Sequence, residues 1–429
     1  MIWLTMLGSL FGFLLSGLWT GVTLGITGII IMHFWGGGIS LLGSTCIGAI
    51  NIYALTAIPI FIFMGQIIVE SGLAERIYNA VVPLLARFPG KLLHANVLLS
   101  AMFAAVLGVS VANAAVVGSV TIPELRKRKY DERLLLGTVC AAGTLGLLIP
   151  PSGALIMYGV MVEASIAGLF AAGTIPGVLL ALLFMAFIGV KGRYTPSIAP
   201  VEEKGLPFLA TLRSLLGLGP LVVIMFACIA PIYLGWATPS ESAGIGALVS
   251  IVIGFIFGKL NSEGLKDSLV NTTMISSMLF FLVLGAMILS MSVSTIGLPR
   301  AVVLMIEGLP VSPVVILMSI YLMYIIMGCL IDGISMMVMT VPFIYPVIVD
   351  LGLDPLWFGV VLILVIEIGL VTPPVGLNLF VIQGIGGPGT KISDIFLGAL
   401  PLLVITALVL GLITAFPGLT LAFPRFLGL

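Results

Sequence analysis

The sequence predicts an all-α polytopic membrane protein made of two halves of inverted topology, each holding a re-entrant helical hairpin and a helix broken by a Pro-Pro pair. Three observations predict it. First, of 429 residues 60% are hydrophobic and only 8% charged, with a mean hydropathy of +1.31, whereas a soluble domain carries about a quarter charged residues. Disorder is excluded by the same apolar richness, and the length accommodates roughly a dozen membrane-embedded elements of about 20 residues each. Second, the basic residues fall in clusters that fix which ends of the apolar stretches face the cytoplasm. Third, short motifs of the first half recur in order in the second at nearly one offset.

The chain carries no lysine or arginine before Arg76, so apolar stretches at about 2–18, 20–35 and 47–69 precede the first cytoplasmic cluster. Clusters follow at Arg76, Arg87 and Lys91, at Arg126–Arg133, at Lys191–Arg213, at Lys259 and Lys266, and at Lys391. Residues 92–125 run between two such clusters. One span would put its ends on opposite sides, and two spans need about 40 residues, so this stretch predicts a re-entrant hairpin entering from the cytoplasm. Its centre, Gly108–Ala115 (GVSVANAA), has the small, polar composition that a turn at depth needs,. Residues 134–158 then run outward, Glu163 marks the outer loop, and 166–190 returns. The polar stretch 191–213 predicts a cytoplasmic linker between a first repeat (1–190) and a second (214–429). In the second repeat 216–234, 237–258 and 270–295 cross, 312–348 lacks flanking basic clusters and predicts a hairpin entered from outside, 356–381 runs inward and 395–416 ends outside. Both termini are thus expected on the periplasmic side. All five tryptophans fall at predicted span ends, as interfacial anchors would,.

The repeat rests on four matches. Gly146–Gly153 (GLLIPPSG) recurs 223 residues later as Gly369–Gly376 (GLVTPPVG), Thr121-Ile-Pro123 recurs as Thr340-Val-Pro342, Gly108 pairs with Gly328, and Gly72-Leu73 pairs with Gly297-Leu298. Inverted repeats with interrupted helices mark secondary transporters, whose sites lie near the midplane at the breaks. A Pro-Pro pair removes two amide donors and frees carbonyls of the preceding turn. Gly146 and Gly369 loosen that turn, and Ser152, Thr144, Thr372 and Asn378 add side-chain oxygens. Carbonyl and hydroxyl oxygens at depth suit a small hard cation such as sodium, and half-helix N-termini favour an anion. With no lysine or arginine in either hairpin turn or either break, an anionic substrate would be held by backbone amides, by the hydroxyls of Ser110 and Ser152, and by Asn113 or Asn378. Two carboxylates lie at depth: Asp332, a candidate cation ligand, and Glu367, either a coupling carboxylate or a cap for freed amides.

Other classes find little support. A net charge of zero offers nucleic acid no basic field,. The four cysteines are far apart without CxxC spacing and His33 and His94 stand alone, so neither a disulfide nor a metal cluster is expected. No P-loop (GxxxxGK[ST]) occurs, and no Ser/His, His-cluster or paired-Asp constellation of an embedded enzyme is present, so an enzyme with an organic cofactor is not expected.

The run Leu370–Val381 (LVTPPVGLNLFV) closely resembles the second-half signature of the large membrane subunit of TRAP (tripartite ATP-independent periplasmic) transporters. Ile58–Gly65 (IPIFIFMG), Gly146–Ser152 and Gly328–Pro346 are also similar to that family, although Asp332-Gly-Ile-Ser335 stands where an aspartate-proline-threonine pattern is common. The resemblance covers essentially the whole chain. It implies an elevator-type, sodium-coupled importer of organic acids in the bacterial inner membrane, working with a periplasmic substrate-binding protein and a small membrane subunit of about four spans. The substrate classes it implies include C4-dicarboxylates, sialic acid, other sugar acids and ectoine-like compounds. Scaffold helices would lie within 1–70 and 216–295, interfacial arms at 72–87 and 298–308, and the hairpins and broken helices would form the moving part. Carried over, one sodium site would involve Ser110, Asn113 and carbonyls around Gly146 and Pro150, and a second Gly328, Asp332, Thr372 and carbonyls near Pro373. The alternative is a self-sufficient sodium/carboxylate symporter or antiporter of related fold.

Overall fold

The structure is a computed structural model and describes residues 1–36, 39–200, 207–307 and 310–429. Residues 201–206 of the expected linker lie outside this set, as do the side chain of Glu307 and residue 308 of the expected second arm. The described residues are helical with no strand, and eight helices are long and apolar enough to cross a membrane.

Helix starts follow local chemistry. Asp131 accepts a hydrogen bond from the Leu134 amide at 2.8 Å, Ser165 from Gly168 at 3.1 Å and Asn261 from Gly264 at 2.8 Å, each meeting an amide the helix leaves unpaired. Thr238 and Glu241 close a reciprocal capping box around Pro239,.

Two groups of helices emerge from the packing. In the first, a scaffold, Thr20–Ile31 lies along Ser262–Thr295, and Ala57–Glu70 along Pro239–Phe257, so each pair draws one helix from each half. The first pair approaches closely because Gly21, Gly25 and Gly28 share a face. A Cβ on Gly285 would lie 2.0 Å from the Gly21 carbonyl oxygen, the backbone proximity that small residues allow between membrane helices. The Ser292 hydroxyl donates to the Gly28 carbonyl across this seam at 2.9 Å.

The second group is built on two hairpins and two broken helices. Hairpin 1 is Leu93–Leu107 and Ser110–Lys127, turning at Gly108, whose φ of +62° suits glycine,. Hairpin 2 is Pro313–Gly328 and Gly333–Asp350, stitched by a hydrogen bond between the Tyr324 and Thr340 hydroxyls. Broken helix 1 comprises Glu132–Gly143, Leu145–Leu148 and Gly153–Val162. Broken helix 2 comprises Pro355–Val371 and Leu377–Gly386. Both Pro-Pro bonds, Pro150-Pro151 and Pro373-Pro374, are cis. In the most apolar window of broken helix 1, 94% of residues are buried, against 28% in the scaffold span Ala210–Tyr233, so the broken helix occupies the middle of the molecule. Long helices Ile166–Tyr194 and Ile392–Ala415 flank this group, and helices Leu73–Leu85 and Leu298–Glu307 connect the scaffold to the two hairpins.

Several boundaries differ from the sequence expectations. The span expected at 47–69 is Tyr53–Glu70, because Leu42–Ile50 ends at Asn51, a turn-favouring residue,. The helix expected from 270 starts at Ser262, carrying its polar first turns beyond the apolar stretch. The expected linker is helical at both ends, since one helix runs on to Tyr194 and Phe208–Ser214 packs on the first arm through the Ser214 hydroxyl and Ala80 carbonyl at 3.1 Å. Trp357 is no interfacial anchor: it is 2% exposed and its indole donates to the Ile413 carbonyl at 3.0 Å.

Candidate transport site

Each hairpin tip meets a Pro-Pro break. The Gly153 amide, two residues after the Pro-Pro pair of break 1, donates to the Gly108 carbonyl at 3.2 Å. The Gly376 amide, in the same position after break 2, donates to the Cys329 carbonyl at 3.0 Å. The breaks thus supply donors that hold the turns, at residues 223 apart in the repeated motif. The fit is tight, because a Cβ on Gly108 would lie 3.2 Å from the Pro151 carbonyl oxygen and one on Gly328 would lie 2.9 Å from Gly369 Cα.

At the first tip Ser110, Asn113, Gly146 and Asn378 come together. The Asn113 amide donates to the carbonyls of Ser100 (3.0 Å) and Gly143 (3.1 Å). Gly146 is so close that a Cβ there would lie 3.1 Å from Asn113 Cβ and from the Val109 carbonyl oxygen. From the other half, Asn378 donates to Ser110 Oγ at 2.8 Å and to the Cys140 carbonyl at 3.3 Å. Both asparagines direct their nitrogen at protein, leaving Asn113 Oδ1 and Asn378 Oδ1 buried without a hydrogen-bond partner among the described residues. Buried acceptors are rarely left so, and two orphaned oxygens fit a cation.

At the second tip Gly328 packs on Gly369, while Asp332 and Thr372 each bond within their own element. Asp332 is half-buried and caps Gly333–Asp350, its Oδ1 accepting from the Ser335 amide at 2.9 Å. The Thr372 hydroxyl donates to the Ile368 carbonyl at 2.6 Å, so its lone pairs stay open while its proton does not. The Ser152 hydroxyl donates to the Leu147 carbonyl and accepts from the Leu155 amide at 3.3 Å, stitching break 1 internally. Glu367 caps no freed amide; both its oxygens are buried without a hydrogen-bond partner among the described residues.

Some participants had no advance signal. The carbonyls of Ser100, Cys140 and Gly143 belong to ordinary apolar helix, and only the fold brings them to Asn113 and Asn378. At the end of hairpin 1 Arg126 joins the halves, donating to the Gly386 carbonyl and to Thr390 Oγ1 (3.1 Å) while pairing with Glu132. Arg133 pairs with Asp394 at 2.8 Å.

Among the described residues no three His, Cys, Asp or Glu side chains gather as a metal cluster. The oxygens on offer are amide, hydroxyl and main-chain carbonyl, a hard-cation set.

Residues 7–419 match the family of the tripartite ATP-independent periplasmic transporter, DctM component. The chain belongs to this TRAP large-permease family. It is 32% identical over 379 residues to the C4-dicarboxylate TRAP transporter large permease DctM of Pseudomonas aeruginosa, covering 88% of this chain and 87% of that one. It is 31% identical to the sialic acid TRAP large permease SiaM of Vibrio cholerae, covering 99% of each. The isethionate permease DctMQ of Oleidesulfovibrio alaskensis is 30% identical over 87% of this chain but only 59% of its own length. Among solved structures, the Alcanivorax borkumensis YdaH transporter shares the fold at a TM-score of 0.63 and 15% identity, covering 89% of this chain and 90% of that one. As a TRAP large permease the chain is a transporter component rather than an enzyme, and a multi-pass protein of the inner membrane. Permeases of this family work with a small membrane subunit and a periplasmic binding protein.

Proposed function

We propose that this chain is the permease of a sodium-driven importer of a small organic acid, fed by a periplasmic binding protein and completed by a small membrane subunit. The observation that carries the reading is the pair of orphaned oxygens, Asn113 Oδ1 and Asn378 Oδ1, beside Ser110 at the first hairpin tip. One sodium ion would lie there with carbonyls near Gly146 and Pro150; a second would lie at Gly328, Asp332, Thr372 and Pro373. The substrate would be an anion held by amides, hydroxyls and the co-bound cations. Relatives named for C4-dicarboxylate, sialic acid and isethionate support an acidic substrate.

The transport step is an elevator movement in which hairpins and broken helices slide as one body along the scaffold. Support comes from the two packing groups and from a cavity of about 180 Å³ between them, lined by Met157, Ala286, Ser290 and Tyr345 among others. The basic clusters support halves of opposite orientation and periplasmic termini.

Reconstitution with the small subunit and loaded binding protein tests the reading. Uptake is expected only with an inward sodium gradient and with the binding protein present. Equal uptake without sodium would sink the coupling, and equal uptake by this chain alone would replace it with a self-sufficient symporter.

A further inference from the structure

Asn96, on the first arm of hairpin 1, repeats the pattern of Asn113 and Asn378. It is fully buried, and its amide nitrogen donates to Thr138 Oγ1 at 2.7 Å and to the Leu135 carbonyl at 3.4 Å. Its Oδ1 has no hydrogen-bond partner among the described residues. Thr138 fixes this orientation, because its own hydroxyl donates to the Leu135 carbonyl at 2.9 Å and can therefore only accept from Asn96. One turn nearer the tip, on the same face of the arm, Ser100 is also fully buried, and its Oγ has no partner among the described residues. Its carbonyl is the one that takes the Asn113 amide. One turn in the other direction, the Leu92 amide donates to the Tyr130 hydroxyl at 3.3 Å. Positions 92, 96 and 100 thus make a polar line from the base of the hairpin to its tip. It runs along the side of the arm that meets Tyr130, Thr138 and, through Asn113, Gly143.

Packing accounts for part of this line. Polar side chains join membrane helices, and the Asn96 nitrogen and Thr138 do so. Two polar atoms at neighbouring levels are left over, each costly to bury unpaired. What they can take differs from the first tip. There both orphans are amide oxygens, acceptors only, which a cation satisfies. Here one is an amide oxygen and the other a hydroxyl with a proton to place, which a cation repels and the oxygen of a water accepts. A water that donates to Asn96 Oδ1 and accepts from Ser100 Oγ completes both. Residues four apart on a helix have Cβ atoms about 5–6 Å apart, a span that one such bridge covers.

We propose that Asn96 and Ser100 hold a buried water, and that their polar line is the path by which the cation of the first tip is rehydrated and leaves towards the base of hairpin 1. The path rests on the reading of the first tip as a sodium site; the water site does not.

Hydroxyl-radical labelling of the full chain in lipid bilayers, with the radicals generated by X-rays from water in place, tests the site. Leu135 beside Asn96, and Phe103 one turn beyond Ser100, are buried and are expected to be oxidised in the wild type. Phe358, equally buried in Pro355–Val371, is expected to stay unlabelled. The labelling should vanish in Asn96→Leu/Ser100→Ala, which removes both polar atoms together. No labelling of Leu135 and Phe103 in the wild type, or undiminished labelling in the double variant, overturns the site. In reconstituted uptake the double variant should lower the maximal rate about tenfold at an unchanged half-saturating sodium concentration, and an unchanged maximal rate overturns the path. Should the double variant not fold, Ser100→Ala alone, which removes the proton donor, is read in the same way. Uptake that ignores sodium would overturn the path together with the sodium reading and leave the labelling to decide the water, so the two fail separately.

Discussion

Asp332 caps a helix and is proposed to hold sodium, and one substitution separates the two. Its Oδ1 caps Gly333–Asp350, and asparagine caps a helix about as well as aspartate. Asp332→Asn is therefore expected to leave thermal stability nearly unchanged while raising the sodium concentration for half-maximal uptake about tenfold, equivalent to ~1.4 kcal/mol. Asp332→Ala should in addition lose about 1 kcal/mol of stability with the cap. Thermal unfolding and a sodium titration of uptake measure the two effects, and an asparagine variant with wild-type sodium response would reduce Asp332 to a cap. At this scale the sequence was a partial guide. Ser110, Asn113, Gly146 and Asn378 could be named from a turn, a break and a resemblance. Ser152 could be named too, but its hydroxyl serves break 1 itself. That Asn378 reaches Ser110 and Cys140 was not legible, because these partners lie 268 and 238 residues away and nothing periodic links them.

Elements were easier to read, since what defines them is local. Proline pairs and the positions of basic residues mark breaks and turns without reference to tertiary contacts, and both hairpins are helix–turn–helix units close to 92–125 and 312–348. What escaped were ends governed by capping or by burial, such as the start at Ser262 and the packing of Trp357. Helix crossings escaped too. Glu132–Gly143 meets Ile392–Ala415 where a Cβ on Gly137 would lie 2.0 Å from the Gly398 carbonyl carbon. Gly137→Ala must push these helices apart and is expected to cost about 1–3 kcal/mol as overpacking, read as a lower unfolding temperature of the purified protein. Gly411, on Ile392–Ala415 with nothing within 4 Å, is the control: alanine there should be neutral or stabilising by up to about 1 kcal/mol. Equal effects at the two positions would contradict the crossing.

For the whole molecule, the question is whether the two groups of helices move against each other. Met157, after break 1, and Val283, on the scaffold helix, line the same two cavities, so they face each other across the proposed sliding surface. In a background lacking Cys46, Cys140, Cys228 and Cys329, cysteines at both positions joined by a short bifunctional reagent should reduce uptake at least about tenfold, and a reducible reagent should allow recovery. Undiminished uptake after complete crosslinking would exclude movement along this surface. Sliding also demands that each hairpin travel with its break, and the two glycine amides at Gly153 and Gly376 provide that attachment. Because the link is main chain, no side chain encodes it: a scan that exchanges one side chain for another would pass over Gly153 unnoticed. Only a residue with no amide hydrogen, such as proline, removes the donor. At Gly153 the donor is thus shielded from most single mutations, whereas Gly376, with a φ of +60° and a Cβ position 2.9 Å from the Leu379 side chain, tolerates no side chain without strain,.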